Sequence, residues 1–421
     1  MGIHTPPNII YYCYLTFGTL LLFFFSSTLW FENYFFNTKP LIYTIFSIFI
    51  ILNRKSIYTY LLNTFRENFK NIDFIIIISI FTHFLIQEKL NLYAISFLTL
   101  YTFIRALYEH SVKSEIDTLK LVFNCILISG IISVAGLYFG LIESIFLETN
   151  IFHQNQPLGY PNPTSKIINE ITGFNLSNHI SGFQTSINYS AYIIISCLGV
   201  LNFAEYRGST KRKIRLTLIT ALVLTQAKIG FLYFSILIIL KIADKYKKTP
   251  KLLLITFTCL GYLFLTHFTF VESGTEIMHT KYYREFYFNF LNLDYYLSLF
   301  SWLKTISFEY LMSNNIFLVD LNGFLNFSQN FEPHSLFFSC VFFGGLGFAF
   351  FLLIRLILIL LNYFLSDTNK ESYFSALLCA FFIESFLWDS YDSPIFWLIM
   401  LLGHSYHGLI KGKKLKVGRS F

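Results

Sequence analysis

Residues 335–361 read SLFFSCVFFGGLGFAFFLLIRLILILL, and Arg355 is the only charged residue among them. A helix rises about 1.5 Å per residue, so crossing the hydrocarbon core of a bilayer takes about 20 mostly apolar residues. This stretch is longer than that, and it has almost no polar side chains to face water. It therefore predicts a transmembrane helix.

The rest of the chain has the same character. Of its 421 residues, 55% are hydrophobic, 20% are aromatic and only 13% are charged, against about 25% charged residues in soluble domains. No segment is polar enough to form a separate soluble domain, so residues 1–421 are interpreted as one membrane domain. The six cysteines lie in apolar segments at spacings that match no metal motif, which favours buried, unligated thiols.

Apolar runs recur along the chain without the alternating pattern of a β-barrel. We therefore predict an all-α, polytopic transmembrane helical bundle of about twelve spans, the first of which is retained rather than cleaved as a signal peptide. The predicted spans are 9–30, 40–52, 73–86, 90–106, 119–147, 187–203, 214–227, 229–242, 252–270, 335–361, 373–388 and 395–410.

The distribution of positive charge predicts the orientation of these spans. Cytoplasmic loops of membrane proteins carry an excess of Lys and Arg. With both termini cytoplasmic, 24 of the 31 Lys and Arg residues lie on the cytoplasmic side. Such basic residues act as topology signals and contact anionic lipids, and nucleic-acid binding is not expected. The basic residues left outside are Lys39, Lys89, Lys166, Lys228, Lys281, Arg284 and Lys304.

Two segments on the outer side are long enough to carry a function. Residues 148–186 contain the turn-rich sequence PLGYPNP, and residues 271–333 form a larger, aromatic and amphipathic loop. Aromatic residues there suit lipid headgroups, and they also suit stacking on sugars. Both interpretations remain open.

A histidine stands at the end of the larger loop, in the sequence EPHSL that runs from Glu332 to Leu336. Proline at a first helical position fits a helix start, which places His334 in the first turn of a span at the outer surface. A neutral imidazole there can accept a proton from a sugar hydroxyl. The alternative is an ordinary interfacial histidine at a helix cap.

Lys228 follows the sequence LTQA between two basic segments. The chain has to go out and return between residues 214 and 242, so Lys228 falls near a turn at the outer side. A lysine at this depth is costly unless it meets water or an anion. It either contacts a phosphate group or extends to the lipid headgroups.

A third polar stretch, HISGFQTSINYSA, runs from His179 to Ala191 and leads from the first outer segment into a span. Gly182 predicts a tight turn, and Ser186 a helix cap. A purely structural role would explain both residues.

In this order, the three places resemble the superfamily of O-antigen polymerases and O-antigen ligases. Its members often show Arg-x-x-Gly-Thr-Phe-x-x-Pro-Asn, then Leu-Thr-x-Ser-Arg, then a large loop ending in His-Asn-x-x-Leu before a Gly-rich span. Gly182 and Asn188 match the first motif, with His179 and Ile187 at its Arg and Pro positions. Lys228 replaces the arginine of the second motif, and His334 matches the third.

The resemblance implies a bacterial inner-membrane glycosyltransferase that uses an undecaprenyl-diphosphate-linked oligosaccharide on the periplasmic face, in lipopolysaccharide biosynthesis. Lys228, Arg284 and Lys281 are expected to stabilise the diphosphate leaving group, and His334 to activate the acceptor hydroxyl. Membrane lipids and a chain-length regulator protein are the expected partners. No cofactor and no metal ion are expected. The further substrate-binding candidates are His179, Gly182, Asn188, Glu332 and Ser335.

The acceptor distinguishes the possible activities. A polymerase transfers the growing chain to another lipid-linked repeat unit, and a ligase transfers it to the lipid A core. The very Phe- and Ile-rich composition and the missing arginines favour a polymerase. A flippase for lipid-linked oligosaccharides is the alternative outside enzymes, but charged residues within the spans are few and no internal repeat is visible.

Overall fold

The computed structural model describes the greater part of the chain. The described residues are 12–23, 39–67, 71–87, 98–106, 116–146, 151–152, 180–184, 187–204, 206–225, 227–246, 306–315, 319–328, 333, 335–365, 371–385 and 393–404.

The described residues form α-helices joined by short turns, with no extended strand among them. This confirms the all-α prediction. The helices are α1 (Tyr12–Phe23), α2 (Lys39–Leu52), α3 (Arg54–Glu67), α4 (Ile72–Gln87), α5 (98–106), α6 (Ile116–Phe146), α7 (Ile187–Val200), α8 (Gly208–Thr225), α9 (Lys228–Tyr246), α10 (306–313), α11 (Leu321–Phe327), α12 (Leu336–Leu365), α13 (Ser372–Glu384) and α14 (Pro394–His404).

Each predicted span overlaps a described helix, except 252–270, which lies outside the described residues, as do residues 24–30 and 90–97 of two others. Length is a stricter test. Among the described helices, two are long and apolar enough to cross a membrane, Leu121–Phe146 and Leu336–Leu365. The pair α2–α3, bent by 70°, would make a third if it counts as one span. The structure thus supports a membrane protein, and the full set of about twelve spans stays a prediction.

Burial of the cysteines follows the prediction with one correction. Cys125, Cys197, Cys340 and Cys379 are buried, whereas Cys13 is exposed on α1. An apolar sequence around a cysteine shows that the helix is apolar, but it does not show which side of that helix packs inward. Cys259 lies outside the described residues.

Helices α4 and α12 pack against each other in opposite directions. The register is fixed by Arg355, whose Nε lies 3.5 Å from Asp73 Oδ1, and by Gly347, where an added Cβ atom would lie 3.3 Å from Ser79 Oγ. Farther along, an added Cβ atom at Gly345 would lie 2.7 Å from His83 Nδ1. The two helices are thus in contact from Asp73 to His83.

The two ends of the bundle differ in their charges. The end where Lys211 and Arg215 bind Asn202 and Lys241 binds Tyr373 is called the basic end below. The opposite end, where α4 and α6 finish and Gly345 interrupts α12, is called the break end. Clustering of basic side chains at one end agrees with the charge pattern that was used to orient the spans.

Gly345 interrupts α12 with φ 85° and ψ 167°, which are not helical dihedral angles. Its positive φ is a conformation that glycine adopts and that other residues rarely do. The two parts of α12, residues 336–344 and 346–365, are therefore separate helical segments.

Two hydrogen bonds to α13 show that these segments fold back on each other. The Tyr363 hydroxyl lies 2.9 Å from Ser375 Oγ, and the Leu336 amide donates to the Ser385 carbonyl at 2.8 Å. Ser375 and Ser385 are ten residues apart, or about 15 Å along a helix, whereas a straight α12 would separate Leu336 from Tyr363 by about 40 Å. Only a sharp bend at Gly345 satisfies both bonds.

The bend encloses an apolar cleft near Ser335. The cleft is lined by Leu336, Phe337 and Cys340 before the break, by Ala349 and Leu352 after it, and by Ser385 from α13. Ser335 is buried beside it. Ser335, a candidate for substrate binding, therefore lies at the buried start of the first segment of α12.

Candidate functional site

The break in α12 is surrounded by polar groups. His83, on α4, is 5% exposed and lies against Gly345, and its Nε2 atom is buried with no hydrogen-bond partner among the described residues. Most buried polar atoms in proteins have a partner, and leaving one without costs about 1–3 kcal/mol. The sequence analysis did not single out His83. A histidine inside the apolar segment 73–86 was the available signal.

Part of the large loop packs onto the first segment of α12. Phe324, at the centre of α11, is fully buried and stacks on Phe342 with ring centroids 4.6 Å apart. Tyr310, from α10, packs edge-on against the Phe342 ring at 5.7 Å. Aromatic packing of this kind contributes beyond the buried area alone, so α10 and α11 are fixed against the bundle.

Asp320 links this loop segment to His83. Its Oδ1 accepts a hydrogen bond of 3.0 Å from the Gly323 amide and so caps α11. It lies close enough to both His83 and Tyr310 for its charge to act on them. Burial and the charge of Asp320 raise the pKa of the Tyr310 hydroxyl above its ordinary value, so that hydroxyl stays protonated. A carboxylate, a phenol and an imidazole thus lie near the break.

Gly182 forms the tight turn that the sequence predicts, with φ 65°. The turn packs closely on α6, where an added Cβ atom at Gly136 would lie 2.8 Å from the Phe183 amide nitrogen. The amides of Ser181 and Gly182 both donate to the Phe152 carbonyl, at 3.0 and 2.9 Å. These contacts give Gly182 a structural role in docking the first outer segment.

Glu143 binds the backbone at the start of the first outer segment. Its two carboxylate oxygens accept hydrogen bonds from the amides of Ile151 and Phe152, at 2.7 and 2.9 Å. Gln184 is buried nearby and donates to Ser133 Oγ at 3.2 Å. Glu143, near the end of predicted span 119–147, therefore stabilises the loop that follows this span, which is a structural role.

A second polar centre lies about 15 Å from His83 along α4, ten residues earlier. Asp73 is fully buried and accepts hydrogen bonds from the hydroxyls of Tyr60 and Tyr101, at 2.9 and 2.8 Å, and from Arg105 Nε at 2.9 Å. Arg355 completes an ion pair with it. One carboxylate thereby joins α3, α4, α5 and α12.

A third cluster lies at the basic end. Asn202 donates to Glu371 and accepts from Arg215 at 2.6 Å, and the Arg215 guanidinium lies 4.3 Å above the ring centre of Tyr373. Glu371 also caps α13 by accepting from the Phe374 amide at 3.1 Å. Burial raises the pKa of the Glu371 carboxyl above its ordinary value despite these donors. The cluster joins the ends of α7, α8 and α13.

The structure places part of the predicted site at the break end. Asn188 lies in the first turn of α7, just after the Gly182 turn. Lys228 begins α9 directly after the turn from α8, as predicted; Ala227 in that turn donates to Thr225 Oγ1 at 3.3 Å. Both residues therefore share an end of the bundle with Gly182.

Of the remaining predicted site residues, Ser335 is described and five others are not. Helix α12 begins at Leu336, so Pro333 and Ser335 precede it rather than forming its first turn. The residues that lie outside the described part of the chain are His179, Lys281, Arg284, Glu332 and His334.

Comparison of the chain with models of protein families, with curated proteins and with solved structures found no match.

Proposed function

We propose that this chain is an O-antigen polymerase of the bacterial inner membrane. It joins undecaprenyl-diphosphate-linked oligosaccharide repeat units at the periplasmic face. In this proposal about twelve spans cross the membrane, both termini are cytoplasmic, and the break end faces the periplasm. The resemblance in motif order supports the family, and the clustering of basic side chains at the opposite end supports the orientation.

One structural observation carries the proposal. The described end of the large loop is packed onto the broken helix that follows it, with Phe324 stacked on Phe342. A loop fixed in this way can hold a water-soluble glycan beside a bundle that holds a lipid. Transfer from a lipid carrier needs this combination, because the sugar and the polyprenyl chain require different solvents.

The reaction follows from the chemistry of the donor. A hydroxyl oxygen of the acceptor sugar attacks the anomeric carbon of the donor, and the bond from that carbon to the diphosphate oxygen breaks. The diphosphate leaves with the bonding electron pair, and Lys228, Lys281 and Arg284 stabilise its charge. His334 accepts the proton of the attacking hydroxyl. Lysine binds phosphate as a point charge without the bidentate geometry of arginine.

Two charged residues within the predicted spans favour an enzyme over a flippase. A flippase needs polar groups that line a path through the membrane. Glu143 instead bonds two backbone amides, and Arg355 is paired with Asp73. Both charges serve contacts within the protein.

The test is a lipopolysaccharide gel from a strain that lacks only this gene. Core carrying a single repeat unit is the expected result for a polymerase. Core without O-antigen, together with accumulated lipid-linked polymer, would identify a ligase instead. Lipid-linked repeat units retained on the cytoplasmic leaflet would identify a flippase, and an unchanged ladder would exclude all three activities for that glycan.

A further inference from the structure

At the break end, the Nε2 atom of His83 is buried without a partner among the described residues, as is the Oε1 atom of Gln184. Glu143, elsewhere at this end, uses both carboxylate oxygens, and Asp320 caps α11. A neutral imidazole has one nitrogen that donates and one that accepts. Leaving Nε2 unsatisfied is costly, so a hydrogen-bonding group supplied at this site would relieve that cost.

His83 lies where it could contact a ligand that is held by the outer loop. It lies against Gly345, where the helix is interrupted, and the loop segment that carries Asp320 and Tyr310 packs on Phe342, three residues before that glycine. The next two residues after the break, Leu346 and Gly347, are exposed. The glycine that contacts His83 is therefore followed directly by an exposed part of α12.

The charge of the site restricts the ligand. Asp320 would repel a phosphate group, so the diphosphate of the donor does not fit beside His83. A neutral hydroxyl fits, because it can donate to an imidazole nitrogen and accept from another group. Sugars supply such hydroxyls together with an apolar face that can pack on aromatic rings, and Tyr310 lies close to Asp320.

We propose that His83 and Asp320 form a binding site for a sugar hydroxyl of the lipid-linked oligosaccharide, with His83 Nε2 as the hydrogen-bond acceptor. The proposal rests on the proposed function, since it assumes that the substrate is a glycan on a polyprenyl carrier. It adds a site to that function, separate from Lys228 and from His334. It places glycan recognition at the break in α12.

The test uses the full chain in nanodiscs and lipid-linked repeat units extracted from the strain that lacks the gene. Binding is measured for the wild type and for His83→Ala, His83→Gln and Asp320→Asn. Loss of one hydrogen bond should weaken binding about tenfold in His83→Ala. His83→Gln retains an acceptor oxygen near the position of Nε2 and should stay within about threefold of wild type.

Asp320→Asn is the matched change on the loop, because asparagine preserves the oxygen that caps α11 and removes only the charge. It should also weaken binding, by a smaller factor than His83→Ala. Sugar-free undecaprenyl diphosphate is the control ligand, and all variants should bind it like the wild type. An equal loss of affinity for that carrier would overturn the site as one for sugar hydroxyls.

A fourth variant, His83→Phe, separates a binding role from a packing role. It removes the unsatisfied nitrogen, so we expect a higher melting temperature without ligand and a loss of glycan binding. If the wild type polymerises repeat units and both His83→Ala and His83→Phe bind them with wild-type affinity, this site is overturned and the proposed function stands. A wild-type protein that neither binds nor polymerises the repeat units would overturn both.

Discussion

The α4–α12 interface contains two polar centres that are built in opposite ways. At Asp73, one buried carboxylate has four partners on three other helices. At His83, one buried imidazole has an atom with no partner among the described residues. The carboxylate of the first centre is thus satisfied, although Arg355 beside it keeps two buried nitrogens without a hydrogen-bond partner among the described residues, whereas the imidazole of the second centre is itself unsatisfied. The contrast indicates that Asp73 serves stability and that His83 is available for binding.

The largest expected effect tests the satisfied centre. Asp73→Ala removes the carboxylate and leaves Arg105 and Arg355 buried without it, which should lower the free energy of unfolding by about 3–5 kcal/mol. Unfolding of the purified protein in mixed micelles measures the change. Asp244→Asn is the control, because Asp244 is exposed and accepts a hydrogen bond from Ser372 that asparagine can keep, and it should stay within about 0.5 kcal/mol of wild type. A mild effect of Asp73→Ala would remove the contrast between the two centres.

The next effect concerns the loop that covers the unsatisfied centre. Phe324→Ala removes a fully buried ring stacked on Phe342, and such changes cost about 3–5 kcal/mol in a core. Because α11 can separate from the bundle, we expect a loss of stability at the lower end of this range, together with faster proteolysis of the loop. Phe308→Ala, at an exposed phenylalanine of α10 in the same loop, should cleave at the wild-type rate. Equal rates for the two variants would show that the loop is not docked through Phe324.

A smaller effect tests the break itself. Gly345→Ala introduces a side chain at φ 85° and brings its Cβ atom to 2.7 Å from His83 Nδ1, which should cost about 1–3 kcal/mol. Gly347→Ala is the control, since its Cβ atom would be 3.3 Å from Ser79 Oγ. The melting temperatures of the two variants measure the difference. If Gly347→Ala proves the more harmful, the backbone at Gly345 is not the constrained position.

The smallest effect comes from Glu371 at the basic end, which has hydrogen-bond donors like Asp73 but is still disfavoured as a charged group by burial. Burial raises its pKa in the folded state, so folding favours the protonated form. Stability from this group is present below its ordinary pKa and is lost as the pH rises through the raised value. The melting temperature of the wild type should therefore fall across that interval relative to Glu371→Gln. Parallel pH profiles of the two proteins would contradict the shift.

The sequence predicted the positions of the helices well, because long apolar runs and basic connections are local signals. The tight turn at Gly182 and the turn before Lys228 were also predicted from local residues. The pairing of Asp73 with Arg105 and Arg355 was not, since the three residues are far apart in the chain and meet only when the helices pack. His83 was missed for the same reason.

The fold-back of α12 was also beyond the sequence. Glycines in an apolar span are compatible with close helix packing as well as with a break, and the positive φ of Gly345 becomes visible only in three dimensions. The prediction of one span over residues 335–361 assumed a straight helix. The structure replaces that expectation with a buried start of the helix beside Ser385.

The fold-back has a consequence for the parity of membrane crossings. In the proposed topology, a segment that enters and leaves through the same face adds no crossing, so residues 336–344 would leave the sidedness of every later helix unchanged. Straightening at Gly345 would move the start of α12 by at least the length of that segment, about 14 Å, without inverting any downstream loop. Insertion of the chain and placement of the loop end are thus set by different parts of one apolar stretch.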